Sequence, residues 1–567
     1  MPFNSGTGIT DQIDMLDKLT EVVTSRYLAS VDISAGGGGA SHAVGDIIQI
    51  TATGSTSTIV AQLEVTAVTA GAIDTGGVRV YRSGAYTVDP TDVLTNAQSA
   101  TSGSGTGATF ILTMAAPTWA VNRRTQEAST AVFAAAGTGY TVGDTLTLVD
   151  DSGTKHDDTD GTGTPGVVAT FNVDSISGGG GTGPVLTVSV VTAGNYSEVP
   201  ANPVTVTGGT GSACTLTVTW ADGTKANNDG QVCMLQGEGL SGTDEIHVII
   251  KTYTMANGIN FAFNWAAIGC TGYNAGLLVH EQTGVNTDDP AHQLDPTDGG
   301  FPASATEGGY FVLKDNDADP DISWWINHNG RRIIIVCKVE DAINTEYSSL
   351  YMGFLNQFGT ETEYPYPLAT LHGTSRQNAI WGETNLLQGG ITESIMGATG
   401  SDEPAGPCFA RSPAGVWNGF CAERSSTASS KLVENEYCVY PFYDRADGIS
   451  NSLSVVALSW LSFADALAHF IEQTGVTGTA DILLRPTPGT GDAYFWMVSP
   501  IIMKQGDTAG FPTGYQLLGE VDGVYWFQTG GEAVVSEDRF EQGTSRYLVF
   551  SNGNRTWNWS YFALDED

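Results

Sequence analysis

The chain has 567 residues, of which 41 % are hydrophobic and 15 % are charged. This apolar content is sufficient for several folded domains and excludes a chain that is disordered over most of its length. The 71 glycines show no every-third-residue repeat, which excludes collagen. With 23 basic and 62 acidic side chains the net charge is −39. A surface of that sign repels nucleic-acid backbones and anionic lipids, so we expect neither a nucleic-acid partner nor membrane insertion.

The N-terminal residues and the cysteines bear on export and on metal binding. The first six residues carry neither the basic nor the apolar segment of a signal peptide, so we expect a soluble chain that is not exported by the Sec pathway. The seven cysteines are widely spaced, without a Cys-x-x-Cys pair or an adjacent histidine ligand. We therefore predict buried free thiols and no cofactor held by cysteine.

The first predicted element is a short amphipathic helix over residues 10–25. Thr10 or Asp11 precedes the pattern and is a suitable N-cap residue. The apolar positions that fall at helical spacing are Ile13, Leu16, Leu19, Val22 and Val23. After Tyr27 the composition changes to Val, Thr, Gly and Ala with period-two runs, which is typical of strands.

Residues 31–220 contain an internal repeat. His42-Ala43-Val44-Gly45-Asp46 recurs about a hundred residues later as Tyr140-Thr141-Val142-Gly143-Asp144, in each case before a strand pattern. Further along each unit, Tyr86 and Pro90 match Tyr196 and Pro200, and both units end in a glycine-rich turn followed by a strand. The sequence therefore predicts two copies of one small Gly-rich β-module, at 31–120 and 121–224.

Residues 225–567 are predicted to form one large, aromatic-rich β-domain, since ten of the twelve tryptophans lie there. Strands are predicted at 245–251, 332–339, 437–440, 482–484, 523–527 and 547–550. One further helix is predicted at 462–473. Because strands and helices do not alternate as in βαβ units, the predicted fold class is all-β. We expect a β-sandwich or jelly-roll-like domain with a short N-terminal helix and an insertion of the two modules.

The main catalytic motifs are missing from the sequence. It has no Gly-x-Ser-x-Gly elbow, phosphate-binding Gly-Lys-Ser/Thr loop or His-Glu-x-x-His pair. A glycosidase needs two carboxylates at the right separation, and sequence alone cannot choose that pair among 62. Trp324 and Trp325 fit either a sugar-stacking platform or a packed core, and core packing is the prediction for a large β-domain. We predict no catalytic residues.

An acidic stretch is the candidate metal site. Asp315, Asp317, Asp319 and Asp321 alternate along the chain, which lets carboxylate oxygens converge on a hard cation such as Ca²⁺. An EF-hand loop has glycine at its sixth position and glutamate at its twelfth, whereas this stretch has Pro320 and Ile326 there. A solvated acidic loop is therefore the simpler interpretation, and Ca²⁺ binding stays as the alternative.

Several segments resemble structural proteins of tailed bacteriophages. The segments that carry the resemblance are Phe3-x-Ser5-Gly6-Thr7, Asp14-x-Leu16-Asp17-Lys18-Leu19, Leu235-x-Gly237-x-Gly239-Leu240-x-Gly242-Thr243-Asp244-Glu245-Ile246, Asn329-Gly330-Arg331-Arg332-Ile333-Ile334, Tyr351-Met352-Gly353-Phe354-Leu355, Thr362-Glu363-Tyr364-Pro365-Tyr366-Pro367-Leu368 and Asp522-Gly523-Val524-Tyr525-Trp526. They cover residues 1–30 and about 225–567. In similar proteins the N-terminal helix leads almost directly into the Gly-x-Gly-Leu segment, so residues 31–220 look like an insertion.

The resemblance implies a non-enzymatic virion protein of the tail, at its distal end: a baseplate, tail-tip or fibre-attachment component. Its expected partners are other virion proteins, copies of itself and a host-surface glycan or protein, after assembly in the host cytoplasm. Two alternatives stay open. One is a capsid-decorating or head-fibre protein, and the other is a tailspike-like glycan depolymerase.

Overall fold

The computed structural model describes residues 2–224 almost continuously and mainly the strands after that. The gaps in the first part are 51–52, 89, 92–93, 151–154, 157–166 and 179. The described ranges of the second part are 231–239, 246–254, 263–270, 272–274, 311–314, 318–340, 345–360, 367–373, 408–411, 417–419, 437–440, 495–499, 501–505, 515–529, 535–543, 545–551 and 561–566. The predictions at 462–473 and 482–484 lie outside these ranges.

The first part of the chain contains one helix and eleven strands up to residue 115. They are β1 (Phe3–Ile9), α1 (Gln12–Thr24), β2 (Tyr27–Ala40), β3 (Ile47–Ile50), β4 (Thr56–Ile59), β5 (Gln62–Val65), β6 (Val68–Thr69), β7 (Ala72–Ile73), β8 (Val78–Arg82), β9 (Ala85–Val88), β10 (Asn96–Thr101) and β11 (Thr106–Ala115). The next described elements are β12 (Trp119–Arg124), β13 (Gln126–Thr138), β14 (Thr145–Leu148), β15 (Lys155–His156), β16 (Thr170–Ile176), β17 (Val185–Thr192), β18 (Tyr196–Glu198), β19 (Val204–Thr207) and β20 (Ser212–Asp222).

The described residues after 224 are almost entirely strands. They are β21 (Val232–Gly237), β22 (Ile246–Thr254), β23 (Phe263–Cys270), β24 (Phe311–Lys314), β25 (Ile322–Asn329), β26 (Arg332–Glu340), β27 (Thr345–Phe354), β28 (Asn356–Gln357), β29 (Leu368–Gly373), β30 (Cys408–Arg411), β31 (Trp417–Gly419), β32 (Tyr437–Tyr440), β33 (Phe495–Val498), β34 (Ile501–Gln505), β35 (Tyr515–Glu520), β36 (Val524–Thr529), β37 (Arg539–Gln542), β38 (Ser545–Ser551) and β39 (Tyr561–Asp565). The predicted all-β class is confirmed.

The N-terminal helix is confirmed, with Asp11 as its N-cap. The Asp11 side chain accepts hydrogen bonds of 2.9 Å from the backbone N–H groups of Ile13 and Asp14. The apolar face of α1 is buried, and the indole of Trp265 donates a 2.9 Å hydrogen bond to the carbonyl of Gln12. The helix is thus part of the main core.

In the described residues no helix is long and apolar enough to cross a membrane.

The main core lies between two antiparallel sheets. One has the order β1-β25-β26-β27-β29-β30-β31 and the other the order β12-β21-β22-β23-β24. Side chains from both sheets and from α1 form one buried cluster, including Trp265, Trp324 and Ile335. On the opposite face of the seven-stranded sheet, Trp325 meets Phe550 of β38 edge-on at 5.0 Å between ring centroids. Trp324 and Trp325 are therefore core residues, 2 % and 6 % exposed, as predicted.

Two further sheets have nearly the same strand order as each other. The first is β2-β11-β10-β3-β5-β8, and the second contains β13-β20-β19-β14-β16-β17 within an eight-stranded sheet. Each has its own buried cluster. Tyr86 and Tyr196 take the same role, because their hydroxyls accept hydrogen bonds from the backbone N–H groups of Ala61 (3.1 Å) and Ala169 (2.7 Å). We refer to residues 27–115 as module 1 and to residues 126–222 as module 2.

Each module leaves the core through a pair of antiparallel strands. Tyr27 lies opposite Ala115 in module 1, and Gln126 lies opposite Asp222 in module 2. Between the two modules, β12 pairs with β21 of the core. The modules are therefore separated by a core strand, a feature that the sequence prediction of adjoining units at 31–120 and 121–224 did not contain.

Among the described cysteine side chains, Cys214, Cys233 and Cys337 are buried free thiols, as predicted.

Candidate functional site

The predicted cation site lies between β24 and β25. Asp315 and Asp317 are outside the described residues, Asp319 is partly exposed and Asp321 is exposed. Within the described part of the chain no group of three or more His, Cys, Asp or Glu side chains is arranged to hold a metal ion. Two of the four predicted ligands are thus absent from that search, and Ca²⁺ binding stays a prediction.

The outer ends of both modules carry the same turn. Asp46 accepts a 2.9 Å hydrogen bond from the backbone N–H of Ala43, and Asp144 accepts one of the same length from Thr141. The following strand is reached through a glycine with a φ angle of 91° in each copy, a conformation that other residues rarely adopt. These turns hold the backbone of the residue before the glycine at the surface.

The residue held at the surface is a valine in both modules. Val44 is 63 % exposed and Val142 is 60 % exposed. In module 2 the hydrogen bond from the Thr141 backbone is the largest influence on the carboxyl of Asp144 and lowers its pKa to about 2. The turn of module 2 is therefore held by an ionised carboxylate at neutral pH, and the valine beside it is exposed to solvent.

Module 1 is attached to a five-stranded C-terminal sheet, of order β33-β36-β39-β38-β37, by a buried ion-pair cluster. The guanidinium of Arg546 on β38 is 2 % exposed and lies between Glu64 of β5 and Glu566. Its Nε is 2.7 Å from Oε2 of Glu566, and Nε of Arg539 is 3.0 Å from the same oxygen. Burial raises the pKa of Glu566, and the two arginines oppose that effect. The carboxylate is thus stabilised by charge at a site without access to water.

The same face of module 1 contributes an arginine and a tyrosine. Nε of Arg79 on β8 donates a 3.1 Å hydrogen bond to Glu64, and a second nitrogen of its guanidinium pairs with Glu541. The ring of Tyr81 lies beneath the guanidinium groups of Arg539 and Arg546, 4.9 Å and 5.1 Å from its centroid. Such stacking favours arginine over lysine. We call Glu64, Arg79, Tyr81 and their partners on β37, β38 and Glu566 the clasp.

The base of module 1 also contacts the core through a buried histidine. Nδ1 of His328 is 2.9 Å from the hydroxyl of Thr118, and its ring meets Tyr27 edge-on at 6.0 Å. Burial lowers the pKa of His328 to about 3, and the charge of Arg332 adds to the effect. The imidazole is therefore neutral at physiological pH. It lies where module 1 joins the core, because Tyr27 is the first residue of the module and Thr118 follows its last strand.

Module 2 is held at its base by two consecutive arginines of β12. Arg123 donates a 2.9 Å hydrogen bond to Glu198 of β18 and lies 5.6 Å from the centroid of the Tyr273 ring. The hydroxyl of Tyr273 donates to the same carboxylate at 3.1 Å. These contacts tie the inner end of module 2 to the core sheet.

The second arginine points to α1. Arg124 is paired with Asp17 and is 3.7 Å from Asp222 at the end of β20, and it donates a 3.1 Å hydrogen bond to Thr20. Burial raises the pKa of Asp17, against the lowering effect of Arg124. Buried arginines therefore fix module 1 to the C-terminal sheet and module 2 to the core.

Sequence analysis did not identify these arginines, because their partners are remote in the chain: Glu64 and Arg546 are 482 positions apart. The only usable signal was the small number of basic residues, 23 against 62 acidic ones. With so few cations, each arginine has many carboxylates available as partners. No protein-family model matches the chain, and no curated protein matches it.

Proposed function

We propose that this chain is a non-enzymatic structural virion protein of a tailed bacteriophage, located in the distal part of the tail as a baseplate, tail-tip or fibre-attachment component. The observation that supports this most directly is the pair of like modules held by buried arginines, module 1 on the C-terminal sheet and module 2 on the core. Two copies of one outer turn suit a protein that makes repeated contacts in a large assembly or on a cell surface.

The two outer ends are the proposed host contact. Binding of the first end raises the effective concentration of the second, provided that the geometry lets both reach the surface together. The clasp and the arginines of β12 provide that geometry, since they join module 1 to the C-terminal sheet and module 2 to the core. The charge of −39 favours basic partners or bound cations at contacts inside the particle.

The decisive experiment separates purified virions into heads and tails and follows this chain by mass spectrometry and by immunogold labelling. We expect it in the tail fraction, with label at the distal end. Recovery with heads would overturn the tail assignment in favour of a capsid-decorating protein. Incubation of the purified chain with host polysaccharide tests the non-enzymatic part: release of reducing ends that is abolished by one Asp or Glu substitution would overturn it.

A further inference from the structure

The outer turns of the two modules are built around different rings. In module 1 the residue four positions before Asp46 is His42, and in module 2 the residue four positions before Asp144 is Tyr140. Both are buried, His42 at 4 % exposure and Tyr140 at 1 %. The two turns therefore differ in the chemistry of the buried ring that precedes the aspartate.

Glycines leave the space that each ring fills. A Cβ atom at Gly39 would lie 2.7 Å from Nε2 of His42, and one at Gly105 would lie 2.0 Å from its Nδ1. The matching glycines of module 2 leave the same space for its tyrosine. The imidazole is thus enclosed by backbone on two sides, and its place in the fold is the place that a tyrosine takes in the other copy.

The two rings differ in their hydrogen bonds. The hydroxyl of Tyr140 is hydrogen-bonded to the backbone of Cys214. Within the described residues neither ring nitrogen of His42 has a hydrogen-bond partner. A neutral imidazole carries one N–H donor and one acceptor nitrogen, and burial of such groups without partners costs free energy. His42 is therefore a buried polar side chain whose hydrogen-bonding capacity is unused.

The charged group that faces His42 is Asp46, the residue that holds the outer turn. Its Oδ2 lies 3.9 Å from Nδ1 of the imidazole. The same oxygen accepts the hydrogen bond from the backbone N–H of Ala43. A small movement of the ring or of the carboxylate would bring the two groups into contact, and the carboxylate would move with the turn that it holds.

The other segments beside His42 have no titratable side chain. The imidazole lies against the end of β2 and the turn between β10 and β11, and its backbone bonds to the turn between β6 and β7. These segments contain only Gly, Ala, Ser and Thr, at residues 36–41, 102–106 and 69–72. The first carboxylate after β7, Asp74, accepts a 3.2 Å hydrogen bond from Thr69. Asp46 is therefore the carboxylate available to a protonated ring.

The corresponding carboxylate of module 2 is already engaged by four donors. Asp144 accepts hydrogen bonds from the backbone and the hydroxyl of Thr141, both at 2.9 Å. Thr210 adds two more, from its backbone at 2.9 Å and from its hydroxyl at 2.8 Å. In module 1, Ala43 takes the place of Thr141 and offers Asp46 its backbone N–H without a hydroxyl. The turn of module 2 is thus held independently of its ring.

Histidine is the side chain that ordinarily takes up a proton between pH 5 and 8. We propose that protonation of His42 draws the ring and Asp46 together and moves the outer turn of module 1, whereas the turn of module 2 keeps its position. Oδ2 of Asp46 is then shared between the imidazolium and the Ala43 N–H, and Val44 shifts with the turn. The proposal rests on the proposed function and deepens it, because it makes one of the two host contacts sensitive to pH.

Methyl NMR of the full chain tests the movement, with valine methyl groups and histidine ring carbons labelled. From pH 8 to pH 5 we expect the Val44 signals to shift together with the His42 ring signal, and the Val142 signals to stay in place. A structure determined at pH 5 should show the Nδ1–Oδ2 distance shortened from 3.9 Å to about 2.8 Å, the length of a charge-assisted hydrogen bond. A His42 ring that stays neutral at pH 5 would overturn the proposal, and so would a Val44 signal that does not follow it.

Two variants assign the response to this pair of residues. His42→Tyr gives module 1 the ring of module 2, which the surrounding glycines accommodate there, and it should abolish the pH dependence of Val44. Asp46→Asn keeps an acceptor for the Ala43 N–H and removes the charge, so it should abolish the response as well. Circular dichroism verifies that each variant is folded. If Val44 shifted with pH in both variants as in the wild type, another group would be responsible and the proposal would be wrong.

Binding to host cells separates this proposal from the proposed function. We expect the affinity of the wild-type chain to differ by at least ~3-fold between pH 8 and pH 5, and that of His42→Tyr to be equal at both. If Val44 follows His42 and no cells are bound at either pH, the host contact is overturned and the pH-dependent turn is supported. If cells are bound and Val44 does not respond to pH, the turn is overturned and the host contact is supported.

Discussion

Module 1 and module 2 share a strand order, a turn and a buried tyrosine, yet they use the same face differently. In module 1 that face carries Glu64, Arg79 and Tyr81 and is docked on the C-terminal sheet. In module 2 the equivalent positions hold Asn172, Ser189 and Val191, and Val191 is exposed. The interior and turns therefore specify the fold of a module, and a few outward residues specify what it contacts.

The bases of the modules differ as well. Module 1 meets the core at a neutral, buried histidine, His328. Module 2 meets it at charged pairs formed by Arg123 and Arg124. Because a neutral imidazole and an arginine respond differently to acid, the two attachments are distinguishable by experiment.

The largest expected effect comes from removing the central arginine of the clasp. Arg546→Met retains much of the side-chain volume and leaves Glu566 buried without its nearest cation, so we expect a loss of about 3 kcal/mol in the free energy of unfolding. Urea denaturation measures the loss, and hydrogen exchange should locate it in module 1 and the C-terminal sheet. Module 2 should exchange as in the wild type.

The control for this prediction is a double variant. Arg546→Met with Glu566→Gln removes both buried charges, so it should recover part of the stability lost by Arg546→Met alone. If the single and double variants are equally unstable, the ion pair is not the source of the effect. The Arg546–Glu566 pair would then not explain why module 1 is docked on the C-terminal sheet.

The next effect concerns pH at the base of module 1. The pKa of His328 is lowered from 6.5 to about 3 by burial, so the unfolded chain binds a proton that the folded chain does not. Above pH 6.5 the residue is neutral in both states and stability is unaffected. As the pH falls from 6.5 towards 3, stability should decrease, with a slope approaching ~1.4 kcal/mol per pH unit.

Carboxylates also titrate in the lower half of this window, so the informative quantity is the difference between two chains. His328→Gln retains a partner for the Thr118 hydroxyl and has no titrating proton. Its stability, measured by thermal unfolding from pH 7 to pH 4, should fall less steeply than that of the wild type. Parallel curves for the two chains would contradict a neutral histidine at this base.

Much of the fold follows from local sequence patterns. The helix was predictable because Asp11 and the apolar spacing are local signals. The repeat was visible because each copy needs a glycine at a φ of 91° before the same aspartate. The pairing of β12 with β21 was not predictable, since Trp119–Arg124 has no signal that separates a core strand from a module strand.

The candidate site was less accessible to sequence analysis. A buried ion pair between Glu64 and Arg546 is a property of the folded molecule, and no spacing rule spans 482 positions. The exposed state of Val191 is also not visible in the sequence, because valine in a strand is typical of a buried face. Comparison of the two copies within the folded chain reveals both features.

The smallest expected effect tests whether the two interiors are equivalent. Tyr86→Phe removes the acceptor for the Ala61 N–H, and Tyr196→Phe removes that for Ala169. Each change leaves a buried donor without its partner, so we expect a loss of about 1–2 kcal/mol in either case. Hydrogen exchange should rise in module 1 alone for the first variant and in module 2 alone for the second.

The outcome also separates fold from attachment, because neither tyrosine belongs to the clasp. Equal losses would mean that the buried hydroxyl serves the interior of both copies in the same way. If Tyr86→Phe destabilised the C-terminal sheet as strongly as module 1, the interior of module 1 would be coupled to its docking. The two copies would then differ inside as well as on their surfaces.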